Sequence, residues 1–171
     1  KENRIDTLSS VDMNGVKLID QIRSSGFKPE FVIGIGRSGA FLGGWLAGNL
    51  GSLPVEVLDR KHSDDPAIPA GYVGVESRIR LMRELYGDSA VVLIVEGATT
   101  SGSSLYQCSK HLAEFAPNWR CKYAVLYEVA TSRFPTDFVA KRINTAPLKY
   151  PWHKTVDYKR HIRRGDATHL L

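Results

Sequence analysis

The segment Val91-Val-Leu-Ile-Val-Glu-Gly-Ala-Thr-Thr-Ser-Gly-Ser-Ser-Leu105 constrains this chain more than any other, because a buried strand, an anion cradle and a helix start follow one another without a break. The continuous apolar run Val91–Val95 suits a parallel strand covered on both faces. Glu96 stands at its carboxyl edge. Thr99, Thr100, Ser101, Gly102, Ser103 and Ser104 then offer hydroxyls and unhindered backbone N–H groups where a helix begins. The first N–H groups of a helix lack intrahelical acceptors, and the helix dipole adds positive potential, so such a start attracts anions. Leu105, Cys108, Leu112 and Phe115 recur at helical spacing and predict a helix over Ser103–Phe115.

A second strand-to-helix junction lies at Phe31-Val-Ile-Gly-Ile-Gly-Arg-Ser-Gly-Ala-Phe41. Taken alone, Gly34-Ile-Gly36-Arg-Ser-Gly39 satisfies the dinucleotide fingerprint, with Glu56 or Asp59 near the position of a ribose-binding acid. Gly36-Arg-Ser38-Gly-Ala40 also approaches a nucleophile elbow, although the closing glycine is Ala40. The first junction has its own rivals. Ser and Thr cap helices whatever the function, and Gly97-Ala-Thr-Thr-Ser-Gly102-Ser-Ser fits a Walker A loop except that Ser103 stands where the phosphate-binding lysine belongs.

The remaining pattern alternates. A helix is expected over Met13–Ser25, stopped by Gly26, then strand Phe31–Ile35, helix Phe41–Leu50 and strand Val55–Leu58. Asp59–Gly71 reads as a mobile loop, extended toward Arg83. Strands follow at Val91–Val95, Tyr123–Tyr127 and Phe138–Ala140. This order argues for an α/β fold, a parallel sheet flanked by helices, with ligands beyond the carboxyl ends of the strands. Gly43, Gly44, Ala47 and Gly48 leave one helix face nearly bare, suited to close packing on the sheet.

With 171 residues, 43% of them hydrophobic, the chain is read as one domain, its core over about 26–152 and a basic tail over 153–171. It has no apolar run of about 18 residues, so no membrane span is expected. Its amino end lacks the apolar run of a secretion signal, and the two cysteines, Cys108 and Cys121, have no metal-ligand spacing. A cytoplasmic setting with both thiols reduced and buried is the expectation. The net charge of +5 draws on Lys149, Lys154, Lys159, Arg160, Arg163 and Arg164. No helix-turn-helix, zinc or aromatic RNA-binding motif accompanies these residues, so a polyanionic substrate, or simply a solvated surface, accounts for the charge better than nucleic acid.

Val95-Glu-Gly-Ala-Thr-Thr-Ser-Gly-Ser-Ser-Leu105, together with Gly34-Ile-Gly-Arg37-Ser-Gly39 and the later Leu50-Gly51, resembles the type I phosphoribosyltransferase family over roughly Phe31 to Trp152. The resemblance implies a parallel sheet with a flexible loop and a small carboxyl-terminal hood. It also implies transfer of ribose 5-phosphate from phosphoribosyl pyrophosphate (PRPP) to a nucleobase, with Mg2+ as cofactor and a homo-oligomer as the assembly. Thr99 to Ser104 would hold the 5′-phosphate. Arg37, the N–H groups of Ser38 and Gly39, and Arg60 and Lys61 from the loop would hold the pyrophosphate, a side chain at Gly39 obstructing that approach. Glu96 and Arg37 would be catalytic, Glu96 also touching the metal. The family's signature carries two acids, and the second is Gly97 here. Ala146-Pro-Leu-Lys-Tyr-Pro-Trp152 is similar to the aromatic base-pocket segment of xanthine- and guanine-type members, implying Lys149, Tyr150 and Trp152 as base contacts. Pro147 stands where those enzymes place a stacking tryptophan, and Thr100 where they place a loop aspartate. The alternative is a catalytically weak module that senses PRPP or a nucleotide, such as a nucleoside monophosphate, and regulates a protein or nucleic-acid partner. Gly97 and the basic tail favour it; the Arg37 loop and the lid oppose it.

Overall fold

The computed structural model describes residues 8–61, 71–144 and 150. Helix α1 (Leu8–Ser24) leads into strand β1 (Phe31–Ile35), helix α2 (Gly36–Asn49) and strand β2 (Val55–Leu58). Two short strands, β3 (Arg60–Lys61) and β4 (Gly71–Tyr72), precede helix α3 (Val75–Tyr86). Strand β5 (Val91–Thr99), helix α4 (Ser103–Phe115) and strands β6 (Arg120–Val129) and β7 (Phe138–Ile143) complete the order.

Five strands form one parallel sheet in the order β2-β1-β5-β6-β7, with Val32 opposite both Val55 and Leu93 and with Ile94 opposite Tyr123. Period-two alternation sends successive side chains to opposite faces. Val32, Leu93 and Val95 therefore meet Leu18 and Ile22 of α1 and Leu42 and Leu46 of α2 in one apolar cluster. Phe31, Ile33, Val92 and Ile94 meet Ile79 of α3 and Leu105, Cys108 and Leu112 of α4 in the other. This is why β1 and the first half of β5 are apolar throughout: both of their faces are covered.

Several boundaries differ from the sequence reading. β5 continues past Val95 to Thr99, because Ala98 and Thr99 still pair with Tyr127 and Glu128 of β6. α2 begins at Gly36 rather than Phe41, so Arg37, Ser38 and Gly39 form a helix's first turn and not a loop. The stretch read as an extension of the mobile loop contains α3. Its Val75, Ile79, Met82 and Tyr86 recur on one face, and Gly74 and Gly87 bound it. Of the four small residues on α2, only Gly43 and Ala47 are buried against the sheet; a Cβ at Gly44 or Gly48 would meet open space. Cys121 lies within β6 and is only partly buried, whereas Cys108 is fully buried; both are free thiols.

Candidate functional site

β1 and β5 are neighbours whose chains leave the sheet in opposite directions, β1 toward β2 and β5 toward β6. A crevice opens at such a switch point beyond the strand ends. A cleft of about 600 Å³ occupies it. Ile35 to Ser38 form one wall, Asp59 and Arg60 another, and Glu96 to Ala98 the floor, with Tyr150 beside them.

The two backbones at the floor touch because glycines permit it. A Cβ at Gly39 would strike the carbonyl oxygen of Val95. The seating of α2 on β5 by itself requires glycine there, whatever approaches the helix from the cleft. A Cβ at Gly97 would lie 2.6 Å from the Ser38 Cβ and 3.1 Å from the Tyr150 hydroxyl oxygen. A side chain at position 97 would require Ser38 or Tyr150 to shift. Ile35, at the amino-terminal cap of α2, supplies no side-chain cap, and the first-turn N–H groups of this helix point toward the carboxyl end of the sheet.

On the other side, Gly102 adopts φ 84° before α4, a left-handed conformation suited to glycine. A Cβ there would lie 2.6 Å from the Phe134 Cβ. The segment after β6 props this turn: Thr131 donates from Oγ1 to the Thr100 carbonyl at 2.9 Å, and Arg133 donates from its backbone N to the Ser101 carbonyl at 3.3 Å. Ser103 donates its N–H to the Ser101 hydroxyl at 3.3 Å. Thr99 departs from the expected cradle: it is the last residue of β5, 2% exposed and paired to β6. Thr100 to Ser104 lie outside the set of residues that wall the cleft, and Ser104 is linked to it through Arg60.

That link is a chain of polar groups. Arg60 donates from Nη1 to the Ser104 hydroxyl, which in turn hydrogen-bonds the Glu96 carboxylate. Tyr72, across the β3–β4 ribbon, donates its hydroxyl to the Ser104 carbonyl at 2.8 Å, and the Arg60 guanidinium sits over the Tyr72 ring. Burial pushes the Glu96 carboxyl up to about 7, against the opposing effects of the Ser104 hydrogen bond and the Arg60 charge. Burial likewise holds the Tyr72 phenol well above its ordinary range, so it stays a donor. Glu96 Oε2 and Arg60 Nε are buried with no hydrogen-bond partner among the described residues. Buried polar atoms rarely stay unpaired. An orphaned carboxylate oxygen and an orphaned guanidinium N–H in one cleft suit a ligand that supplies both an acceptor and a donor or cation.

Arg37 is exposed and Ser38 half-buried, both on the cleft wall. Arg60 is there too, while Lys61 contributes its backbone to β3. Lys149 and Trp152 lie outside the described residues. Tyr150 is buried beside Gly97, its ring tilted 6.2 Å from that of Tyr127. Sequence reasoning missed Tyr72, Thr131, Arg133 and Phe134, which carry no motif and reach the site through the turn before α4 and its first residues.

Magnesium binds through one or two carboxylates and completes its shell with water and substrate phosphates. Glu96 with its orphaned oxygen, and Asp59 in the same cleft, fit that pattern. Among the described residues, no group of three or more His, Cys, Asp or Glu side chains could hold a metal by itself. The donor set thus suits a cation that arrives with a phosphorylated ligand.

The model of the phosphoribosyl transferase domain family matches residues 4–159, so the chain belongs to that family. No curated protein matches it in sequence. Solved structures share the fold. A purine phosphoribosyltransferase from Pyrococcus horikoshii is 22% identical, with a TM-score of 0.65, over 87% of this chain and 92% of that one. The Helicobacter pylori xanthine-guanine-hypoxanthine phosphoribosyltransferase is 15% identical, with a TM-score of 0.72, over 93% of this chain and 99% of that one. A hypothetical protein from Neisseria gonorrhoeae with bound ppGpp is 20% identical, with a TM-score of 0.73, over 98% of this chain and 99% of that one. Among the described residues, no helix is long and apolar enough to cross a membrane.

Proposed function

We propose that this protein is a cytoplasmic phosphoribosyltransferase that moves ribose 5-phosphate from PRPP to a nucleobase. The bond from the sugar's C1 to a pyrophosphate oxygen breaks, a bond to a ring nitrogen of the base forms, and that nitrogen's proton leaves to solvent as pyrophosphate departs. The observation that carries the reading is the pair of orphaned buried groups, Glu96 Oε2 and Arg60 Nε, in a cleft at the switch point between β1 and β5.

In this reading Thr100 to Ser104 hold the 5′-phosphate on the first turn of α4, and Arg37, Ser38, Gly39 and Arg60 hold the pyrophosphate on the first turn of α2. Glu96 receives a ribose hydroxyl or the metal edge of the ligand. Magnesium, when bound, neutralises diphosphate charge and so eases its departure. No protein nucleophile is needed: positioning and electrostatics lower the barrier. The ribbon that carries Arg60 limits water at the developing oxocarbenium centre.

Purified protein incubated with PRPP, magnesium and a panel of purine and pyrimidine bases should release pyrophosphate with at least one base. Tight PRPP binding with no release from any base points instead to a nucleotide-sensing module. Two observations support that second reading: Gly97 stands where the second acid would be, and the Neisseria gonorrhoeae protein of similar fold was solved with ppGpp bound.

A further inference from the structure

The space above Gly97 is filled from two other parts of the chain. Ser38 comes from the first turn of α2, and Tyr150 from beyond β7. A Cβ at position 97 would lie 2.6 Å from the Ser38 Cβ, 3.1 Å from the Tyr150 hydroxyl oxygen and 3.3 Å from Tyr150 Cζ. The phenol oxygen therefore lies within a side chain's reach of position 97, the site of the missing acid. Both residues line the same cleft as Glu96. The Tyr150 ring is held in place: it is 5% exposed and packs on Tyr127, whose hydroxyl accepts from Asn14 Nδ2 at 3.2 Å.

A phenol and a carboxylate differ in two ways that matter here. The phenol both donates and accepts, whereas the carboxylate only accepts. It is also neutral, so it does not add a second negative charge beside Glu96, where like charges would raise each other's pKa. Resting on the phosphoribosyltransferase reading, we infer that the Tyr150 hydroxyl, framed by Ser38, takes the place of the missing second acid and recognises a sugar hydroxyl. On this assignment Tyr150 determines specificity for the sugar rather than the base.

The test uses two probes, ribose 5-phosphate and 2-deoxyribose 5-phosphate, titrated calorimetrically into wild-type protein and Tyr150→Phe. The wild-type protein should bind the ribose form at least tenfold more tightly. Tyr150→Phe should bind the deoxy form as wild type does and bring the two affinities within about twofold. A change in packing alone would weaken both probes together and leave their ratio intact. If Tyr150→Phe does not fold, 3-fluorotyrosine at position 150 keeps the ring and acidifies the phenol. The ratio then shifts if the hydroxyl touches the sugar and stays fixed if it does not. A preserved ratio in either variant, or equal affinities in the wild-type protein, overturns the assignment while leaving the proposed reaction standing. Failure of the wild-type protein to bind either probe overturns the phosphoribosyltransferase reading, and this assignment with it.

Discussion

The Tyr72 hydroxyl donates to the main-chain carbonyl of Ser104 at 2.8 Å, fastening the β3–β4 ribbon to the first turn of α4. Arg60, opposite Tyr72 in that ribbon, reaches the Ser104 side chain from the same direction. One residue of α4 thus anchors both strands. Tyr72→Phe should loosen the ribbon, costing about 1 kcal/mol locally. Hydrogen exchange at residues 60, 61, 71 and 72 should quicken severalfold, while the strands of the main sheet keep their protection.

Removing Arg60 takes away a hydrogen bond to Ser104 and a positive charge that holds the Glu96 carboxyl down. Arg60→Met should therefore raise the Glu96 pKa further and weaken PRPP binding by tenfold or more, about 1.4 kcal/mol. Calorimetry at pH 7 measures the second effect. Unchanged affinity in a folded Arg60→Met protein removes Arg60 from the anion site.

Glu96 makes stability depend on pH in a definite direction. Its carboxyl is raised from 4.5 to about 7 in the folded protein, so between those values the folded state binds more protons than the unfolded chain. Its contribution is complete below pH 4.5 and is lost as pH rises through 7, lowering stability by up to about 3 kcal/mol. Glu96→Gln should flatten that fall. Urea unfolding of the two proteins at pH 5 and pH 8 reads the difference, and equal pH slopes would refute it.

Ser103→Asp places a carboxylate in the first turn of α4, where the 5′-phosphate is proposed to sit. Like charges there should weaken PRPP binding more than tenfold, about 1.4 kcal/mol or more. An aspartate near a helix start is otherwise tolerated, so the melting temperature should hold or rise slightly.

Gly97→Asp looks in sequence like the repair of an incomplete acid pair. In the structure the first added carbon already lies 2.6 Å from Ser38, so the substitution should destabilise by about 1–3 kcal/mol and fail to improve PRPP affinity. Thermal unfolding beside calorimetry separates the two effects. A stable variant with tighter binding would show that α2 can shift away from β5.

The apolar runs at Phe31–Ile35 and Val91–Val95 identify two of the three inner strands because burial on both faces leaves no polar position to blur the signal. The hydroxyl-rich turn is legible because Gly, Ser and Thr are among the few residues that favour a turn leading into a helix start. α3 was not recognised: its surface charges, Glu76, Arg78, Arg80, Arg83 and Glu84, outnumber its buried residues, and the preceding Pro and Gly content suggested a loop. The spacing of Val75, Ile79, Met82 and Tyr86 held the needed signal. Gly39 and Gly97 show what a sequence conceals. Their absent side chains make room for Val95 and Ser38, residues remote in the chain, and only the packing reveals which neighbour required it.

Those two bare contacts also set a length. Where Gly39 rests on Val95 and Gly97 rests under Ser38, main chain meets main chain or its first side-chain atom, with no flexible group between to yield. The first turns of α2 and α4 are consequently mounted on one stiff block, α2 through these contacts and α4 through the end of β5. The gap between them is then set by backbone packing, as the jaws of a caliper are set by its beam. On the proposed reading, a ligand that presents an anionic group to each turn would then be selected by the distance between its two charged ends.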